Sequence, residues 1–210
     1  MANGPALDDV FTEPDADPDT LANLGPLAPL AGVFEGSPGQ DINPKADGPQ
    51  FKSYKERFDL QLIDPQTNGP QLLYGLRYHQ HIVEQVKKGT FHDQVGYLLW
   101  EPLTGRVMMT LAIPRGQVAL ATGFAQPGDT KFTLRAEAAD PRFGIVTSEW
   151  LDAAFHTPSW EITFRINSPD TWSYEQVTML DVHGQGPFEH QDSNTLTRVA
   201  APEPNLLMQP

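Results

Sequence analysis

The chain has no cysteine among its 210 residues, few basic groups and no long apolar run. Without thiols there is no cysteine nucleophile, no zinc ribbon, no iron–sulfur ligation and no disulfide framework. Only 14 Lys and Arg stand against 27 Asp and Glu, for a net charge of -13. A surface of that sign repels phosphate backbones and anionic membranes, so neither nucleic acid nor membrane is expected as a partner. Nothing approaches the roughly 18–20 apolar residues of a spanning helix. The opening MANGPALDDVFTEPDAD is acidic where a secretory signal is basic and then apolar, so a cytoplasmic location is expected. GxSxG, P-loop, GxGxxG and HEXXH patterns are missing as well. Length, by contrast, is sufficient for one domain with a real core.

What the chain does have is alternation. In YKERFDLQLI, Tyr54, Phe58, Leu60 and Leu62 share one face, and Lys55, Arg57, Asp59 and Gln61 share the other. WEITFRIN, KFTLRAE and RVMMTLAI repeat the pattern, which marks antiparallel strands with one buried face. Gly, Pro, Asn and Asp punctuate them at Asn68-Gly69-Pro70, Lys88-Gly89, Thr104-Gly105, Pro114-Arg115-Gly116, Pro127-Gly128-Asp129 and Ser168-Pro169-Asp170. About ten strands at short, regular spacing follow. Closing such a meander removes both unpaired edges, and a barrel of this size encloses more space than side chains fill. The expected fold is therefore all-β: an antiparallel up-and-down barrel of about ten strands that holds a small-molecule ligand.

The ends read differently. Residues 1–24 are expected to form an acidic arm, with Asp19 as N-cap of a short helix near its end. The barrel is expected over 25–200, and 201–210 as a tail in which Leu206, Leu207 and Met208 are candidates to dock. Residues 143–159 break the alternation, with Trp150, Leu151, Ala154 and Phe155 at helical spacing; a helical turn or folded loop is expected there.

Six histidines carry the candidate chemistry: His79, His81, His92, His156, His183 and His190. His79 and His81, with Glu84 beyond them, give the HxH of a cupin-like metal enzyme, although the second cupin motif is missing. They lie on the more polar face of their strand, which is expected to look outward. In FHDQVGYLLW, His92 shares a face with Gln94, Gly96 and Leu98, and a mid-strand Gly marks a close approach by ligand or backbone. His190 follows the turn GQGPFE and shares a face with Asp192, Asn194 and Leu196; as a metal ligand it would have Asp192 or a carbonyl to hold its second ring nitrogen. His183, before the same turn, is the next candidate. A third reading needs no reactive residue: a barrel that carries a fatty acid or another apolar molecule.

Taken together, four segments give the chain a resemblance to the nitrobindin-like haem-binding β-barrels, also described as fatty-acid-binding-protein-like barrels. LAPLAGVFEGSPG resembles the family's opening L-x-x-L-x-G-x-W-x-G-x-G, with Phe34 in place of Trp. FHDQVGYLLW resembles its M-H-x-E-x-G-Y-L-R strand, with His92, Gly96 and Tyr97 matching, Gln94 in place of Glu and Trp100 near the usual Arg. LAIPRG keeps Pro114 and Gly116, and VTMLDVHGQGPFEHQDSNTLTRV resembles the closing hairpin. The likeness spans Leu27 to Val199, with longer segments at 41–50 and 142–159 that typical members lack. It implies a haem b cofactor with His190 as the proximal iron ligand, and His92 and Met179 against the pocket. His92 would offer a hydrogen bond to a bound oxygen or nitrogen oxide. It also implies handling of nitrogen oxides or isomerisation of peroxynitrite, and leaves a homodimer open.

Overall fold

The computed structural model describes residues 9–85 and 89–209. Among these, a helix α1 (Thr20–Asn23) and a 3-10 turn (Gly25–Leu30) precede β1 (Gly32–Asn43), β2 (Gln50–Leu62), the short β3 (Gln66–Asn68) and β4 (Gln71–Glu84). Then come β5 (Thr90–Glu101), β6 (Arg106–Ile113), β7 (Gln117–Phe124), β8 (Lys131–Glu137) and the short β9 (Ile145–Thr147). A helix α2 (Glu149–Ala154) leads into β10 (Phe155–Ser168), β11 (Thr171–Val182) and β12 (Pro187–Ala200). The folded segment expected over 143–159 is thus a short strand and a helix before β10 begins.

Ten long strands pair with their sequence neighbours, and β12 returns to β1 while β2 pairs β4, so the antiparallel sheet closes as an up-and-down barrel. The short β3 and β9 add to β4 and β7. Alternation does the sorting: along β2, Tyr54, Glu56, Phe58 and Leu60 are buried, with exposed or half-exposed residues between them. No described helix is long and apolar enough to cross a membrane.

One end of the barrel is plugged. Leu24, Leu27 and Leu30 are fully buried and join the core under the ring. Each such leucine contributes about 1.5–3 kcal/mol of burial. Gly25 lets the plug seat against Trp100: its φ is +55°, and a Cβ there would lie 2.6 Å from the indole. Asp19 caps α1 as its sequence implied, accepting from the Ala22 amide at 3.1 Å. The preceding segment lies along the barrel, with the Asp17 amide donating to the Tyr74 hydroxyl at 3.2 Å, and α1 is tied to it by Thr20 donating to the Ile63 carbonyl at 2.7 Å. In the tail Leu206, Leu207 and Met208 stay exposed. Asn205 docks instead, donating to Asp64 at 2.7 Å.

Above the plug the interior is aromatic. Trp172 is surrounded by Phe34, Phe58, Phe164 and Tyr174, with ring centroids 5.4–6.2 Å away. Such rings fill the lower barrel and leave the other end open. β5 and β12 both start at that open end, because their far ends, Trp100 and Ala200, lie beside the plug and the start of β1. His92 and His190 therefore both stand near the mouth.

Candidate functional site

Between the aromatic layer and α2 lies a cavity of about 520 Å³, within the range of small-molecule and cofactor sites. Its walls are largely apolar: Ile82, Leu111, Ile113, Ile145, Trp160 and Leu180 face it. Three cationic side chains, Lys45, Lys52 and Arg115, stand among its lining residues, as do His92 and His190. Trp150, Leu151 and Phe155, from α2 and the start of β10, border it too.

His190 enters from β12 and is held by carboxylates. Its Nε2 lies 2.8 Å from Oδ1 of Asp41 and 3.5 Å from Oδ2 of Asp192. The Asp41 side chain is 0% exposed. Its other oxygen accepts from the Asn43 amide, and Gln176 donates to Asp192 at 3.0 Å. Burial alone would lower the His190 pKa, but the hydrogen bond to Asp41 and the charges of Asp192 and Asp41 raise it above the ordinary value. Burial pushes the Asp192 carboxyl up as well. Among the described residues these three form the one group of His, Asp and Glu close enough to grip a single ion.

Asp41 is the residue that sequence reasoning missed. Alternation from the buried Phe34 puts Asp41 on the outer face. Between Gly36 and Gly39, however, β1 advances three residues while β2 advances two, from Glu56 to Tyr54. That extra residue is a β-bulge, and everything beyond it changes face. Gly39 makes the bend feasible, since a Cβ there would lie 2.2 Å from the Tyr54 ring. The Gly36-Ser37-Pro38-Gly39 break was the available signal.

His92 enters from β5, four strands round the ring from β12. Its Nε2 lies 3.3 Å from Oε1 of Gln94, the Gln94 amide donates to the Tyr78 hydroxyl at 2.8 Å, and Tyr78 donates to the Thr110 carbonyl at 2.8 Å. Burial lowers the His92 pKa, so the ring is neutral at physiological pH. Gly96 does mark a close approach, and the approaching group is backbone: an added Cβ would lie 2.0 Å from the Thr110 oxygen.

Behind the cavity-lining Gln80 and Tyr174 lies a third polar group. Glu56 is buried with Gln80 donating to one oxygen at 2.7 Å, and Tyr174 and Asn194 donating to the other at 3.0 and 2.8 Å. Burial raises its pKa to about 7.

The remaining candidates lie elsewhere. His79 and His81 point outward, one 3.3 Å from Asp93 and the other 3.1 Å from the Thr90 hydroxyl. An outer groove of about 630 Å³ runs past His79, Arg77 and Tyr97 where the β5–β6 ladder opens. His156 pairs with Asp152 at 2.8 Å on the surface. His183 sits in the turn before β12 with φ +51°, and is not among the cavity-lining residues. Nor is Met179: its neighbours Thr178 and Leu180 face the cavity, so alternation turns Met179 the other way.

The residues present suit a haem. An apolar chamber of this size accepts a macrocycle, and the mouth cations match carboxylates on its edge. His190 has one ring nitrogen on a buried carboxylate, while Nδ1 has no hydrogen bond among the described residues. One nitrogen anchored by a carboxylate is how metal-bound histidines are usually held.

A family model described as the THAP4-like, heme-binding beta-barrel domain matches residues 23–198. Among solved structures, the crystal structure of Rv2717c from M. tuberculosis is similar in fold, with a TM-score of 0.58 at 21% identity over 88% of this chain and 99% of that one. No curated protein matches the chain by sequence.

Proposed function

The chain belongs to the THAP4-like haem-binding β-barrel family, and from that premise we propose that its cavity holds ferric haem b with His190 as the axial ligand. The observation that carries this reading is His190 itself, anchored on buried Asp41 inside an apolar chamber. When bound, the haem supplies an iron centre at which small oxidants and nitrogen oxides, peroxynitrite among them, are held or converted. The chain's own residues then divide the work. Asp41 fixes the His190 ring and increases its electron donation. Ile82, Leu111, Ile113, Trp160 and Leu180 would exclude water from the bound group. Lys45, Lys52 and Arg115 bind the carboxylate edge. His92 lines the same cavity and would face a small ligand held there.

A hemin titration followed by absorption spectroscopy tests the reading. The wild type is expected to give an intense Soret band with one equivalent bound, and His190→Ala a much weaker association. An unchanged spectrum and affinity in His190→Ala would remove His190 from this role. Apolar walls with cations at the mouth also suit a fatty acid. That reading predicts a colourless protein that does not take up hemin and releases fatty acid on extraction.

A further inference from the structure

The direction of the hydrogen bonds behind His92 is set outside the cavity lining, at Thr110. A backbone carbonyl can only accept, and the Tyr78 hydroxyl lies 2.8 Å from that of Thr110. A hydroxyl has one proton, so Tyr78 spends it there and must accept on its other side. The Gln94 group 2.8 Å away is therefore its NH₂, which turns the carbonyl end of the same amide toward His92. That carbonyl also only accepts, so His92 Nε2, at 3.3 Å, has to be the donor. A neutral imidazole has one N–H. Nδ1 is left with its lone pair, and it has no hydrogen bond among the described residues.

Burial holds the relay in this order. Tyr78 and Gln94 are 2% and 3% exposed, and reversing either group would leave a buried donor or acceptor without its partner. The Thr110 oxygen is reachable because β5 and β6 leave Gly96 and Tyr97 out of their ladder, between the pairs Val95–Ala112 and Leu98–Met109. The neutral state of the ring follows from burial. Arg115, from the turn after β6, and His190, from β12, disfavour the imidazolium; the Gln94 bond and Asp93 on the same strand act the other way, and the lowering wins.

We propose that Gln94 is a positioning residue that fixes His92 as the Nε2–H tautomer, so that the cavity meets a hydrogen-bond acceptor. The ligand that suits this wall is a neutral small molecule with a hydroxyl or N–H to donate, such as the protonated form of a weak acid. An anion that can only accept finds no donor on His92. This reverses the hydrogen-bond direction implied by the family resemblance. The assignment concerns the protein with or without haem, so it stands or falls separately from the role of His190.

The test is nuclear magnetic resonance on the ¹⁵N-labelled, haem-free chain at pH 7.5. Long-range ¹H–¹⁵N correlations are expected to show His92 protonated at Nε2 and bare at Nδ1. Phenol, a neutral hydroxyl donor that fits the chamber, should shift the Nδ1 resonance, and benzoate should not. In Gln94→Glu the new carboxylate favours a doubly protonated ring, so the Nδ1 resonance should shift to its protonated range. Tyr78→Phe frees the amide to turn and should give a mixture of tautomers, which keeps the proposal testable if Gln94→Glu does not fold. A wild-type ring protonated at Nδ1, or at both nitrogens, overturns the assignment. Phenol that leaves Nδ1 unmoved overturns the ligand class.

Discussion

His190 and His92 look into one cavity and are held in opposite ways. His190 rests on two carboxylates, and its pKa rises. His92 rests on an amide whose far end donates to the Tyr78 hydroxyl, and its pKa falls. Both rings are partly buried, so desolvation alone does not separate them. The acceptor behind each ring does. A carboxylate invites the charged ring or a metal in place of the proton; an amide carbonyl supports the neutral ring and chooses its tautomer. One wall is built for a cation and the other for an uncharged partner. The acceptor behind each ring gives the two histidines their separate environments.

The largest effect expected from this contrast is on hemin affinity. His190→Ala should weaken it by well over 100-fold, beyond the loss usual for removing a supporting residue. His92→Leu should retain the haem and alter only ligand exchange. Equal losses in the two variants, measured by hemin titration, would erase the distinction between the walls. Next in size is Asp41→Asn. It keeps the shape of the anchor and removes its charge, and hemin affinity should fall about 10–100-fold. No change would mean that the buried carboxylate is not what holds the ring for iron.

A smaller effect sharpens the comparison through pH. His190 has a raised folded pKa, so its stabilising contribution is complete below the unfolded value near 6.5 and is lost as pH rises through the folded one. His92 has a lowered folded pKa, so its contribution is complete above 6.5 and is lost as pH falls toward the folded value. Urea unfolding of the haem-free protein between pH 5 and 8 reads both. Relative to wild type, His190→Ala should lose most stability at the acidic end and His92→Leu at the neutral end. Slopes of the same sign would show that one environment has been misjudged. The smallest effect belongs to the outer pair. His79→Ala with His81→Ala should leave the Soret band and ligand kinetics unchanged and shift stability by no more than about 0.5 kcal/mol per site. Loss of a bound non-haem metal in that double variant would revive the cupin-like reading.

Much of this was legible in the chain. Strand number and the outward HQH pair follow from period-two alternation, as does the placement of His92 with Gln94 and of His190 with Asp192; the turns follow from Gly, Pro, Asn and Asp, with Lys88 of the Lys88-Gly89 turn outside the described residues. Alternation is a local property, so it survives as long as the strand is regular. It fails at Gly36–Gly39, where one extra residue swaps the faces of β1 and brings Asp41 inside. Met179 shows the converse. Its motif resemblance suggested the pocket, while the regular β11 turns its side chain away from Thr178 and Leu180.

Composition and alternation by themselves determined that this would be a closed acidic β-barrel free of thiol chemistry, because burial of one strand face and avoidance of open edges need no knowledge of partners. The state of each histidine was decided only in three dimensions. His190 meets a carboxylate 149 positions away, and the relay behind His92 ends on a carbonyl from the next strand. Hydrogen-bond direction depends on which acceptor stands behind the ring, and that neighbour exists only once the barrel has closed.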